Sequence, residues 1–216
     1  MSLRLLTSLA FLIFTLFGGS EVNSQPTSTF ADDSPLEFRL TAPFGELGRD
    51  PTDRPEHPAV LEYQDPDGDT VALDIQIRIR GNSRVRECRY PPLSLNFRRR
   101  DTAGTEFAGQ DRLKLVTLCR GSRLYGGYLA TEFLIYRMFN LLTDRSFRVR
   151  WANVEYLDTS ARKPEPRMAP AFLIEADWEV AERLDLDQIE TERVELGTHD
   201  PAHTALLTVF QYLIGN

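Results

Sequence analysis

The chain has 216 residues and a formal net charge of -7 at neutral pH; 42% of its residues are hydrophobic and 26% are charged. Such an acidic balance excludes a protein that binds nucleic acid through bulk electrostatic attraction. The length suits one globular domain with loops and a sizeable hydrophobic core.

The N-terminus is predicted to be a secretory signal peptide that covers residues 1–24. Arg4 supplies a positive charge, residues 5–17 are almost wholly apolar, and residues 18–20 (Gly-Gly-Ser) are small enough for cleavage. This apolar run is too short to span a membrane, although it could instead form a buried N-terminal helix. We therefore expect an exported protein, periplasmic or extracellular, with no stable membrane span after cleavage. Residues 25–35 are polar and are predicted to be a linker.

The first half of the domain at residues 36–216 is predicted to be an antiparallel sheet. Residues 71–80 alternate strictly between apolar and polar, which is typical of a strand with one buried face. Similar patterns predict further strands at residues 36–40, 59–63, 91–97 and 112–120. Residues 43–58 are predicted to be loop, and turns are expected at residues 65–69, 81–83 and 98–105.

The second half is predicted to mix helices with two more strands. Residues 125–142 carry apolar side chains at helical spacing. Shorter helices are predicted at residues 178–184 and 203–214, and strands at residues 147–157 and 171–175. The fold class is therefore predicted to be α+β.

If the protein is exported, its two cysteines, Cys88 and Cys119, lie in an oxidising compartment. An even number of cysteines in an oxidising compartment suggests one disulfide. The alternative is two separate buried thiols. Two cysteines are too few for a zinc site made of cysteines alone.

Lys114 is the candidate functional residue that the sequence singles out. Only two of the 25 basic residues are lysines, and Lys114 lies on the same strand face as Val116 and Leu118. A lysine among apolar neighbours is costly to bury unless it is paired, and its compact charge suits phosphate oxygens. The alternative is a snorkelling lysine on an edge strand. Residues 78–100 hold eight arginines, which form either a phosphate-facing patch or an exposed sheet edge.

Six segments of the chain together resemble the CotH-type kinase family, the spore-coat-protein-H-like kinases. Their order and spacing match over roughly residues 36–216, and the likeness is strongest to exported proteobacterial members with a Phe/Tyr-Pro-Pro-Leu segment and a cysteine after the Lys-Leu-Val strand. The segments are residues 78–83, 88–97, 113–119, 132–137, 146–150 and 171–175.

This resemblance implies an atypical protein-kinase-like fold, with an antiparallel N-lobe sheet plus helices and an incomplete C-lobe. It also implies binding of ATP with Mg2+ or Mn2+, and phosphoryl transfer to an exported protein substrate. The catalytic and metal-binding carboxylates are expected after residue 216, so no metal ligand is predicted here and the fragment itself is expected to be inactive.

Kinases hold a strand lysine on the phosphates with a helix glutamate, and the resemblance gives these roles to Lys114 and Glu132. Since neither charge has another evident partner, we expect the two to form an ion pair. Phosphates are expected under the backbone of the turn at Arg80, Gly81, Asn82 and Ser83. Glu175 is expected at the hinge beside the adenine.

Two other functions remain open at this point. One is a non-enzymatic pseudokinase, or an envelope binding or scaffold protein. The other is a glycan-binding sheet protein, which the aromatic residues Trp151, Tyr156 and Trp178 suggest.

Overall fold

The structure is a computed structural model that describes residues 29–48, 53–189, 191 and 193–215. The predicted signal peptide lies outside the described residues. Within the described part of the chain, no helix is both long enough and apolar enough to cross a membrane.

Seven strands and four α-helices make up the described domain. The strands are β1 (Leu36–Ala42), β2 (His57–Gln64), β3 (Thr70–Ile79), β4 (Leu93–Phe97), β5 (Arg112–Thr117), β6 (Val149–Asp158) and β7 (Arg167–Ile174). The α-helices are α1 (Ser83–Glu87), α2 (Arg123–Leu142), α3 (Asp177–Arg183) and α4 (Pro201–Ile214). Short 3-10 helices lie at Phe44–Glu46, Arg99–Thr102 and Leu196–Thr198. The predicted strands and the three predicted helices are thus present, whereas α1 and the first residues of β7 were not predicted.

The strands form a closed barrel in the order β1-β2-β3-β4-β5-β7-β6. All neighbours are antiparallel except β6 and β1, which pair in parallel from Leu36 opposite Ala152 to Ala42 opposite Asp158. The predicted kinase-like fold, an N-lobe sheet plus helices with an incomplete C-lobe, is therefore wrong. Alternation along each strand shows which side chains face inward, but it does not show that the first and sixth strands meet.

The barrel interior is the main hydrophobic core. One side chain in two along each strand points inward, and several of them are completely buried, such as Leu40, Leu61, Ile77, Leu95 and Leu113. A second, smaller apolar layer lies outside the barrel, where Leu129 of α2 packs with Val116, Val149, Phe172 and Ile174. Lys114 and Val116 alternate with the inward-facing leucines of β5, so Lys114 lies on the outer face that α2 covers in part.

Phe107 closes one end of the barrel. It belongs to the loop between β4 and β5, and none of its surface is exposed. Its ring stacks on Phe97 with centroids 5.1 Å apart, and it meets Tyr63 and Phe38 edge to face. Such aromatic contacts add to the stabilisation from apolar burial.

Arg150 anchors the same end of the barrel. Its side chain is 4% exposed. Its guanidinium donates to the carbonyls of Ser34 (2.9 Å) and Thr29 (2.8 Å) and pairs with the carboxylates of Glu106 and Asp32. Thr29 and Ser34 belong to the predicted linker, so this buried charge holds the chain that precedes β1.

The predicted disulfide is confirmed, since Cys88 and Cys119 are joined with Cα atoms 4.6 Å apart. The backbone N–H of Tyr90 donates to the carbonyl of Cys119 (3.1 Å), and the Thr117 hydroxyl donates to the carbonyl of Tyr90 (2.7 Å). The disulfide and these two hydrogen bonds therefore clamp the segment before β4 to the end of β5.

Replacing Arg150 by leucine is expected to lower the free energy of unfolding by about 3–5 kcal/mol, because the variant leaves Glu106 and two carbonyls without their buried partner. Urea unfolding of the purified protein measures the change. The control is Arg39→Leu, which removes an exposed ion pair with Glu155 and is expected to cost less than about 1 kcal/mol. Equal losses in the two variants would show that the Arg150 network does not hold this end of the barrel.

Replacing both cysteines by alanine is expected to lower the free energy of unfolding by about 3–4 kcal/mol. The disulfide joins residues 31 positions apart, and removing this loop constraint increases the entropy of the unfolded chain. Urea unfolding of the oxidised parent and the double variant measures the difference. Reducing the parent should give the same loss, and a parent whose stability is insensitive to reductant would contradict the expectation.

Candidate functional site

A row of polar side chains crosses the outer face of three neighbouring strands. In the strand register, Arg78 on β3 lies opposite Ser94 on β4, which lies opposite Lys114 on β5. Arg80 and Arg112 are each two residues away from a member of this row, so they share its face. The sheet register thus gathers four basic residues that are far apart in the sequence.

These basic residues line a cavity of about 400 Å³, here called the cationic pocket. Its walls include Arg78, Arg80, Arg112, Lys114, Asp177 and Trp178. Ser94 lies between the basic side chains and is small, which leaves room in the middle of the pocket. Asp111 and Asp177 are the acidic residues among its walls, so the pocket is positively charged in a protein of net charge -7.

Lys114 forms an ion pair in this pocket, with Asp177 rather than with Glu132. Its Nζ lies 2.7 Å from Oδ1 of Asp177 and 4.6 Å from the centre of the Phe147 ring. Glu132 instead accepts from Nη2 of Arg84 at 2.7 Å. The predicted pairing of Lys114 with Glu132 is therefore wrong. It failed because the unpredicted helix α1 brings Arg84 to Glu132, and the start of α3 brings Asp177 to Lys114.

Two arginines of the cationic pocket form no ion pair with a carboxylate of a described residue. No Asp or Glu oxygen of a described residue lies within 4.0 Å of the guanidinium nitrogens of Arg80 or Arg112. Burial lowers the pKa of the Arg80 guanidinium, and the charges of Asp177 and Glu132 oppose this effect. Cations that form no direct ion pair in a partly buried cavity favour the binding of an anion.

Trp178 is a wall of the pocket and is packed against a second arginine. Its indole Nε1 is buried and has no hydrogen-bond partner among the described residues. The guanidinium of Arg99 stacks on its ring, 4.6 Å from the centroid. Asp177 and Trp178 were not predicted for this site. Both residues follow the end of β7 directly in the sequence, but the pairing of β7 with β5, which brings them to Lys114, is visible only in the structure.

The other predicted site residues are placed differently. Gly81 has a φ of 90° in the turn after β3, and Ser83 shares a cavity of about 210 Å³ with Glu132, outside the cationic pocket. Glu175 is 1% exposed and does not line that pocket. Its two carboxylate oxygens bind Nε and Nη2 of Arg183, each at 3.0 Å. The structure thus brings Arg80 and Lys114 together and places Glu132 and Glu175 elsewhere.

The three aromatic residues that suggested glycan binding do not form a common surface. Trp151 packs on Phe133 outside the barrel, Tyr156 lies in the interior core, and Trp178 lies in the cationic pocket. A flat aromatic platform is therefore not built from these three side chains.

The residues that the structure describes contain no group of three or more His, Cys, Asp or Glu side chains arranged to hold a metal ion. No family model, curated protein sequence or solved structure matches the chain.

Glu179 ties the helix that carries Asp177 and Trp178 to the loop before β5. Its Oε1 accepts from Nε2 of Gln110 at 2.9 Å, while its Oε2 and the Gln110 Oε1 are buried without partners among the described residues. Burial raises the pKa of the Glu179 carboxyl. A protonated Glu179 is the form that this environment favours.

The free energy of unfolding is expected to fall as pH rises above 4.5, the ordinary pKa of Glu179. In this range the unfolded state has released the proton while the folded state still holds it, so deprotonation favours unfolding until the folded carboxyl also ionises. Glu179→Gln replaces the titratable carboxyl by a neutral amide. It is therefore expected to flatten the plot of unfolding free energy against pH above pH 4.5. Urea unfolding between pH 4 and pH 8 tests it, with the exposed Glu182→Gln as the control. Parallel profiles for the parent and Glu179→Gln would contradict the assignment.

Proposed function

We propose that the cationic pocket binds the phosphate groups of ATP, and that the protein uses this binding in phosphoryl transfer to an exported protein. The observation that carries the proposal is the placement of Arg80 and Arg112, which pair with no carboxylate of the described residues, beside Lys114 in one cavity. The family resemblance supports the choice of ATP as the phosphate-bearing ligand and of an exported protein as the acceptor.

The chemistry of the four basic residues suits a chain of phosphates. Arginine presents a planar set of N–H donors that match two phosphate oxygens at once, whereas lysine acts as a mobile point charge. Strands β3 and β5 supply both kinds of cation from opposite sides of Ser94, so a polyphosphate can lie across β4 between them. A cavity of about 400 Å³ is within the range of small-molecule sites.

Asp177 competes with the proposed ligand. Its carboxylate occupies Lys114 and adds a negative charge to a pocket that would take an anion. Asp177 is about half exposed, with 51% of its side-chain surface accessible, so breaking this pair costs little. Phosphate is therefore expected to displace Asp177 from Lys114 and to engage the lysine directly.

The resemblance implies Mg2+ or Mn2+ as partners of ATP. Among the walls of the cationic pocket the acidic groups are Asp111 and Asp177, and the second is paired with Lys114. These residues do not fit a metal site with several carboxylate ligands.

A second candidate is a non-enzymatic module that binds nucleotide without transferring phosphate. The walls of the cationic pocket favour it, because their acidic residues, Asp111 and Asp177, do not fit the metal site with several carboxylate ligands that phosphoryl transfer uses. Incubation of this protein together with an exported acceptor protein and ATP labelled on the γ-phosphate separates the two candidates. Label transferred to protein supports the kinase, and binding without transfer supports the module.

The phosphate site is tested by substitutions that remove either a positive or a negative charge from the cationic pocket. Lys114→Met and Arg112→Gln are each expected to weaken ATP binding by about tenfold or more, because each removes a charge-assisted contact. Asp177→Asn is expected to strengthen binding several-fold, because it removes the competing charge. Isothermal titration calorimetry with ATP, tripolyphosphate and adenosine measures these affinities.

The matched control for this titration is Arg39→Gln, an exposed arginine on the outer face of β1 that pairs with Glu155. Its affinity for ATP should equal that of the parent. Two results would reject the cationic pocket as the phosphate site: an unchanged affinity in Lys114→Met and Arg112→Gln, or adenosine binding as tightly as ATP.

A further inference from the structure

Another cavity, of about 280 Å³, lies at the end of the barrel opposite the end that Phe107 closes. It is called the barrel-mouth cavity, and its walls include Phe44, Ile79, Tyr90, Leu93, Tyr156 and Arg167. Tyr156 and Arg150 are six positions apart on β6, which places the two ends of the barrel about 20 Å apart along the strand. This cavity is therefore separate from the anchored end, and none of these six residues lines the cationic pocket.

Tyr156 contributes an unused hydroxyl to this end of the barrel. The residue is 9% exposed, and its ring meets that of Phe44 edge to face, with centroids 5.6 Å apart. Its hydroxyl oxygen is buried and has no hydrogen-bond partner among the described residues. A buried hydroxyl without a partner destabilises the folded protein. Burial also raises the pKa of Tyr156, so the group remains a hydrogen-bond donor at neutral pH.

Arg167 contributes a cation with free donors. Its guanidinium carbon lies 3.8 Å from the centre of the Tyr90 ring and 5.5 Å from that of the Tyr156 ring. No carboxylate of a described residue lies within 4.0 Å of its nitrogens. Stacking on the faces of the tyrosines orients a guanidinium and leaves its N–H edge available. That edge is suited to a carboxylate, which it can bind through two parallel hydrogen bonds.

The two acidic residues that line the barrel-mouth cavity, Asp158 and Glu165, do not supply a carboxylate to Arg167. Oδ1 of Asp158 accepts from the backbone N–H and hydroxyl of Ser160 and from the N–H of Gly45, so the adjoining loops hold this carboxylate, which forms no ion pair with Arg167. Glu165 is exposed and forms no ion pair with Arg167. The remaining walls include Phe44, Ile79 and Leu93, which are apolar and favour an apolar body in the ligand.

We propose that the barrel-mouth cavity binds a small organic acid with an apolar body. The carboxylate of the ligand lies on Arg167, and small shifts of the side chains around it let the buried Tyr156 hydroxyl donate a hydrogen bond to it. The apolar part of the ligand lies against Phe44 and Leu93. The Cys88–Cys119 disulfide holds the segment of Tyr90 in place, so the stacked guanidinium is preorganised before the ligand arrives. This site does not depend on the proposed function of the cationic pocket.

The probes for this site are phenylacetate and hexanoate, each compared with its neutral amide. Titrations of the oxidised, isotope-labelled protein followed by NMR are expected to show that the acids bind about tenfold or more tightly than the amides, because only the acids form charge-assisted bonds with Arg167. The shifted signals should come from residues around Tyr90, Tyr156 and Arg167.

Three variants separate a binding role from a structural one. Arg167→Gln is expected to abolish the preference for acids over amides. Tyr156→Phe is expected to weaken acid binding about three- to tenfold and, at the same time, to raise the melting temperature, because it removes a buried hydroxyl that has no partner. The control is Arg162→Gln, an exposed arginine in the loop between β6 and β7, which should bind like the parent.

Several results would overturn the proposal. Acids and amides that bind equally, or acids that cause no shifts up to about 10 mM, would show that no carboxylate site exists there. Unchanged acid binding in Arg167→Gln would remove the assigned cation. A lower melting temperature for Tyr156→Phe, with binding unchanged, would show that the hydroxyl is a structural group instead.

Discussion

The parallel pairing of β1 with β6 is the constraint on which the rest of the structure depends. It closes the sheet, so no strand of the barrel presents an unpaired edge to solvent. Closure also divides every strand into an inner and an outer face. Tyr156 is inside the barrel because of this division, and Lys114 is outside it with the other members of the cationic pocket. Both candidate sites are thus consequences of one closed sheet.

Two arginines on adjacent strands show how the surroundings of a charge decide its role. Arg150 on β6 is almost fully buried, and its donors are satisfied by carbonyls and carboxylates of the chain itself. Arg167 on β7 lies at the other end of the barrel, where it is stacked on aromatic rings and pairs with no carboxylate in the described part of the chain. Arg150 therefore stabilises the fold, whereas the N–H donors of Arg167 remain available to a ligand.

The parts of this structure that follow from local patterns could be predicted from the sequence. Alternation located the strands and put Lys114 on the same strand face as Val116, and the pairing of Cys88 with Cys119 followed from the number of cysteines and the expected export. Barrel closure and the Lys114–Asp177 pair depend on contacts between distant segments, which no local pattern contains. The partner of Glu132 was missed because α1 has five residues and buries only Val85, too short a segment for a helical period to show.

Closure between the first and sixth strands also affects how the chain folds. Arg39 and Glu155, which are register partners in this pairing, are 116 positions apart, and contacts of such long range slow folding because the loop entropy is lost before the contacts form. The antiparallel pairs β1–β2, β2–β3 and β3–β4 join strands that are neighbours in sequence and can form first. In that intermediate the free edge of β1 is exposed and able to pair with another chain. A chaperone that shields this edge until β6 arrives would therefore increase the yield of folded barrel.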